Sequence, residues 1–136
     1  MRTTRQVLEL WLDAYNMRDA HALAALYHEH AENHQVAFGS PLRGRAALLE
    51  SFVSFFRAFP DSQTQPENIL VDGDHGAIEW LGTGTFMGAM GGHAPTGKSF
   101  ALRGCGFFRV EGGKIAFQRG YIDRQSWFEQ IGLHPS

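Results

Sequence analysis

Residues 99–123, SFALRGCGFFRVEGGKIAFQRGYID, hold two strand-like runs on either side of Glu111-Gly112-Gly113. Alternating side chains flanking a glycine pair are the signature of a β-hairpin. If the chain closes through Gly112-Gly113, Val110 faces Ile115, Phe108 faces Phe117, Gly106 faces Arg119, Gly104 faces Tyr121 and Leu102 faces Asp123. Directly opposed residues share a face of the sheet. One face therefore begins with four apolar side chains and continues into two glycines beside Arg119, Tyr121 and Asp123. In the preceding strand Gly82 and Gly84 follow Ile78 and Trp80 at the same period of two. Glycines in adjacent strands either curve a sheet or leave room beside it, and the expectation is a pocket. A three-residue loop would shift the register by one and turn the glycines away from Asp123.

Upstream of this hairpin lie the elements that would cover it. Thr3 and Gln6 fit a capping box, and Leu8, Trp11, Leu12 and Tyr15 recur at helical spacing, predicting a helix over about residues 4–17. Asp19 can cap a second, short helix running through Tyr27. Residues 31–38 read as a short strand ending in Val36-Ala37-Phe38 before Gly39-Ser40-Pro41. From Arg45, the apolar set Leu48, Leu49, Phe52, Phe55, Phe56 and Phe59 marks a third helix that Pro60 stops. Asn68–Val71 and Ala77–Leu81 flank Asp72-Gly73-Asp74 as a first hairpin, and Gln125–Ile131 forms a terminal helical turn. Helices followed by a mostly antiparallel sheet predict an α+β fold, with helices covering one face of a curved sheet.

The chain has 136 residues, of which 43% are hydrophobic and 19% charged, enough for one domain over residues 1–136 with a single core. A net charge of −2 offers no general attraction to nucleic acid or to an anionic membrane. The lone Cys105 cannot form an internal disulfide, and the opening residues do not resemble a signal peptide, so a cytoplasmic location is the expectation. No apolar run approaches the roughly 20 residues needed to span a bilayer.

Asp123, at the end of its strand, is the candidate catalytic group. Burial among aromatic rings would raise its pKa and Arg119 would lower it, leaving a carboxylate able to act as a general base beside a carbonyl or on a water. The same residue can instead pair with Arg119 or cap the terminal helix at Gln125-Ser126-Trp127. Tyr15 can direct its hydroxyl inward as a donor, and His34 can reach the pocket as a neutral acid-base group. Trp80, Phe56, Phe86 and Leu102, with Gly104, Arg119 and Tyr121, are the expected substrate-binding wall. His21, His28 and His30 lack the His-Glu-x-x-His spacing of a zinc helix, so no metal is expected. Gly82-Thr83-Gly84-Thr85 has no lysine following it, and no Gly-x-Ser-x-Gly occurs, which leaves nucleotide binding and serine hydrolysis without support.

In order along the chain stand Gly44-Arg45-Ala46-Ala47, Phe59-Pro60-Asp61, Val71-Asp72-Gly73-Asp74, Gly82-Thr83-Gly84-Thr85, Pro95-Thr96-Gly97-Lys98, Gly113-Lys114-Ile115 and Tyr121-Ile122-Asp123-Arg124, followed by Gln130-Ile131-Gly132-Leu133. This ordered set resembles the SnoaL-like polyketide cyclases of the NTF2-like, ketosteroid-isomerase-like superfamily. The resemblance implies an NTF2-like cone around an apolar cavity, commonly in a homodimer. It also implies an aldol closure in which the residue matching Asp123 is the acid-base catalyst, with no metal or organic cofactor. The resemblance also implies a histidine on a nearby strand assisting the carboxylate, but residues 98–110 contain none, leaving His34 or His93 to substitute. The carboxylate of the ketosteroid isomerases falls on or near Gln35, an amide that is not a base at neutral pH. The expected function is a cofactor-independent acid-base enzyme for a small hydrophobic carbonyl compound, of cyclase, isomerase or lyase type. The alternatives are a non-catalytic apolar-ligand or dimeric interaction module, and an epoxide hydrolase of the limonene type built on Asp123 with Arg119 or Arg103.

Overall fold

Thr3 opens the first helix as the sequence predicts: its hydroxyl accepts from the Gln6 N–H and the Gln6 side chain accepts from the Thr3 N–H. The computed structural model describes residues 1–134. Along them run α1 (Thr4–Asn16), α2 (Ala20–Ala24), β1 (Tyr27–Gln35), β2 (Leu42–Arg43), α3 (Arg45–Ala58), β3 (Gln63–Asp72), β4 (His75–Thr85), β5 (Ser99–Glu111), β6 (Lys114–Ile122) and α4 (Arg124–Gln130). No helix among the described residues is long and apolar enough to cross a membrane.

The strands form one curved, unclosed sheet in the order β2-β1-β6-β5-β4-β3. Only β1 and β6 pair in parallel; the other neighbours are antiparallel. α1 packs on β3 and β4, α3 on β1 and α2, and α4 on β5. Val7, Leu8, Trp11 and Leu12 of α1 join Leu48 and Phe52 of α3 and Ile78, Phe108 and Ile115 of the sheet in the main core. A second buried cluster gathers Phe59, Phe86, Phe100, Leu102, Trp127 and Phe128 around α4.

Two sequence readings change in the N-terminal half. Tyr27 is the first residue of β1, not the end of the second helix, because α2 stops at Ala24 and Tyr27 pairs with Ile115. Val36-Ala37-Phe38 form a 3-10 turn rather than a strand, leaving Phe38 exposed.

The decisive hairpin closes through Gly112-Gly113, with φ of +57° and +77° at the two glycines and Glu111 opposite Lys114. Left-handed φ at both central residues is what a two-residue turn matched to strand twist demands. Val110 faces Ile115 as expected, but Arg109 then faces Phe117, so Ala116 is an extra residue on β6. That bulge reverses the faces of the rest of the strand. Phe108 meets Gln118, Gly106 meets Gly120 and Gly104 meets Ile122, whereas Arg119 and Tyr121 pair with Phe107 and Cys105.

Candidate functional site

Because of the bulge, the inner face of the sheet carries Gln118, Gly120 and Ile122 beside Leu102, Gly104, Gly106 and Phe108, with Ile78, Trp80 and Gly82 on β4. Between this face and the helices lies a cavity of about 240 Å³. The Trp80 indole lies across Gly104 and Gly82: a Cβ at Gly104 would stand 2.5 Å from Trp80 Cη2, and one at Gly82 would stand 2.9 Å from Cζ3. The two glycines thus seat a flat ring, and the hollow begins above it. The Gln35 amide occupies the corresponding space over Gly120, with Nε2 2.7 Å from where a Cβ would be.

The rings of Trp11, Phe52, Phe55, Trp80, Phe100 and Trp127 are among the groups that line the cavity. The polar lining is neutral, with Tyr15, Asn33, Gln35, Thr64 and Gln118 among its members. Trp11 Nε1 donates to the Tyr27 hydroxyl at 3.0 Å, and that hydroxyl donates to Gln118 Oε1. Gln35 Nε2 donates to Asn33 Oδ1 at 2.8 Å. Tyr15 packs between Trp11 and Phe56, at centroid distances of 5.0 and 5.2 Å. Burial pushes the Tyr15 phenol far above its usual pKa, so it remains protonated and available as a donor.

Of the expected site residues, Tyr15, Trp80 and Leu102 line the cavity; the others lie elsewhere. Phe56 is buried in the main core and Phe86 stacks on Phe59 at 5.5 Å, so both are packing residues. Gly104 is covered by Trp80. Arg119 sits on the outer face over the Phe117 ring, and Tyr121 is exposed against Phe107. His34, paired with Arg119, points away from Asn33 and Gln35 and binds the Gly39 carbonyl at 2.9 Å. Asp123 is exposed, and its Oδ1 accepts from the Ser126 N–H at 3.0 Å as the N-cap of α4. The expected placement of the carboxylate beside the glycines is therefore corrected by the one-residue bulge. Among the described residues no three histidine, cysteine or acidic side chains gather closely enough to hold a metal. The sequence reading missed Asn33 and Gln118. Asn33 and Gln35, two residues apart on one strand, carry a period-two signal that would have found the polar side of the pocket.

Capping gives a clean test of Asp123. Asparagine caps as well as aspartate, whereas alanine costs about 1 kcal/mol. Asp123→Ala is expected to lower the urea-unfolding free energy by that amount, with Asp123→Asn within a few tenths of it from wild type and unchanged in ligand affinity. Loss of affinity or turnover in the asparagine variant at wild-type stability would return the carboxylate to the pocket.

Solved structures of the same architecture are widespread. IdmH, a candidate polyketide cyclase from Streptomyces antibioticus, is 24% identical, with 97% of this chain and 100% of that one covered at a TM-score of 0.81. A hypothetical protein of ketosteroid isomerase-like fold from Catenulispora acidiphila DSM 44928, solved with trimethylamine, is also 24% identical over 96% and 95% of the chains, at 0.82. TsrD from Streptomyces laurentii is 22% identical over 94% and 93%, at 0.81. These likenesses establish the fold. No curated protein matches the chain. The sequence model describing SnoaL-like polyketide cyclases matches residues 5–131, and with nearly the whole length accounted for, the chain belongs to the SnoaL-like polyketide cyclase family.

Proposed function

We propose that the protein takes a small, flat, hydrophobic carbonyl compound into the cavity and polarises its carbonyl with neutral hydrogen-bond donors, in a cyclase-like role. The observation that carries this reading is the lining itself: aromatic walls interrupted by hydroxyl and amide groups. Such a site holds a ring system by burial and orients it by a few polar contacts. Donors aimed at an oxygen that gains charge lower the cost of forming an enolate as the proton on the neighbouring carbon leaves to solvent hydroxide or buffer. The family membership supports the same substrate class. A homodimer belongs to this reading too, since Leu70, Phe107 and Tyr121 are exposed on the outer sheet face, where a second copy would cover them.

Among the described residues no carboxylate or imidazole lines the cavity, which favours a second reading as a binder without turnover. The two separate on 2-tetralone in deuterated buffer. Under the first reading the protein binds the ketone and accelerates deuterium entry at the carbon beside the carbonyl at least tenfold over buffer, saturably, as followed by NMR. Binding with no acceleration selects the second reading. Absence of binding overturns both.

A further inference from the structure

Gln118 and Asn33, 5% and 7% exposed, are two buried amide side chains that line the cavity. They are register partners on the parallel strands β6 and β1 and face the same side of the sheet. Each has its amide orientation set from behind. An indole N–H can only donate, so the Tyr27 oxygen accepts from Trp11 and the Tyr27 proton must go to another acceptor. That acceptor is Gln118 Oε1. The Gln118 oxygen is thereby held against Tyr27, which leaves its NH₂ group for the cavity. At Asn33 the oxygen accepts from Gln35 Nε2, and the Gln35 amide is itself lodged over Gly120. The Asn33 NH₂ group is likewise left free. Neither NH₂ group has a hydrogen-bond partner among the described residues, and neither belongs to the fully enclosed unpartnered atoms, Ser62 Oγ, Arg119 Nε and Arg124 Nε. Two donors on nearly buried side chains, side by side, open to the cavity and without protein acceptors, take their acceptor from whatever fills it.

We infer that Asn33 and Gln118 form a paired amide cradle that receives one oxygen of the ligand, a ketone or its enolate, with Tyr27, Trp11 and Gln35 as positioning residues. This rests on the cavity being a site for a carbonyl compound and names the groups that recognise the carbonyl. Neutral amides suit an oxygen that carries partial charge, because they supply directed N–H groups without a full positive charge to attract a carboxylate. The relays keep both donors in place before the ligand arrives, so little orientation is lost on binding.

The test compares 9-fluorenone with fluorene, which share a ring system and differ by the single oxygen. Wild-type protein is expected to bind fluorenone about tenfold more tightly, in line with two neutral hydrogen bonds, and the infrared carbonyl stretch of bound fluorenone should move to lower frequency. Asn33→Asp and Gln118→Glu each keep the oxygen that accepts the internal hydrogen bond and remove the NH₂ group. At pH 8 each is expected to bring the affinity ratio to about one or below and to shift the carbonyl stretch back upward. Equal wild-type affinities with an unshifted stretch overturn the cradle while leaving the cavity reading intact, even if the variants do not fold. A ratio and stretch unchanged in both variants also overturn it. Failure of wild type to bind either compound overturns the cavity reading itself.

Discussion

Gly104→Ala is expected to destabilise the protein by about 1–3 kcal/mol, the usual cost of forcing extra volume into a packed interior, and to weaken ligand binding at the same time. The added Cβ would stand 2.5 Å from Trp80 Cη2 and 3.0 Å from Ile122 Cγ2. An indole cannot bend out of the way, and its far edge already rests on Gly82, where a Cβ would be 2.9 Å from Cζ3. The ring must therefore lift off the sheet into the space a ligand would fill. Gly106→Ala, two residues along the same strand, is the control. Its Cβ would meet the Arg119 carbonyl and the Phe108 ring at 3.6 Å, an ordinary contact, so a change within about 0.5 kcal/mol is expected, as for substitutions that create neither clash nor cavity. Urea denaturation measures both, and fluorenone titration reads the pocket. Equal stability of Gly104→Ala and wild type would show that Trp80 does not lie on Gly104.

The same glycines show how far the sequence could be read. A period-two pattern of glycines across adjacent strands identified where the sheet approaches something other than an ordinary side chain, and the structure supplies Trp80 there, with the cavity above it. The turn itself was legible because Gly112-Gly113 satisfies a local backbone demand. The bulge at Ala116 was not, because it has no residue type of its own. It accompanies a register shift between Tyr27 and Glu32 on β1, so the irregularity belongs to three strands together. One residue of slip carried Arg119 and Tyr121 outward and left Asp123 capping α4 in solvent. Gln118 was passed over for a different reason. A glutamine reads as a surface residue unless a buried partner is known, and its partner, Tyr27, is 91 positions away. Helix α1 was recoverable almost to the residue because its cap and apolar stripe are local signals, whereas Val36-Ala37-Phe38 was not, since a three-residue apolar run is compatible with either conformation.

Tyr27→Phe is expected to cost about 2–4 kcal/mol, because removal of one oxygen orphans two buried groups: Trp11 Nε1 loses its acceptor and Gln118 Oε1 its donor. A buried polar group left without a partner costs about 1–3 kcal/mol, and the two losses share one site, so their sum is an upper limit. Gln118→Leu on the wild-type background strands the Tyr27 proton in the same way. On the Tyr27→Phe background it removes a group that is already orphaned, so the double variant is expected to be less destabilised than the two single changes added together. The effect also has a pH signature. Burial, outweighing the hydrogen bond from Trp11, drives the Tyr27 pKa far above its ordinary value of 10.0. A phenol harder to ionise when folded stabilises the native state fully below the unfolded pKa, and that stabilisation declines as pH rises above about 10. The gap between wild type and Tyr27→Phe in urea denaturation should therefore be flat from about pH 6 to 9 and should narrow above about 10. An additive double variant, or a gap that widens with alkali, would mean that Trp11, Tyr27 and Gln118 do not act as one relay and that nothing holds the Gln118 amide toward the cavity.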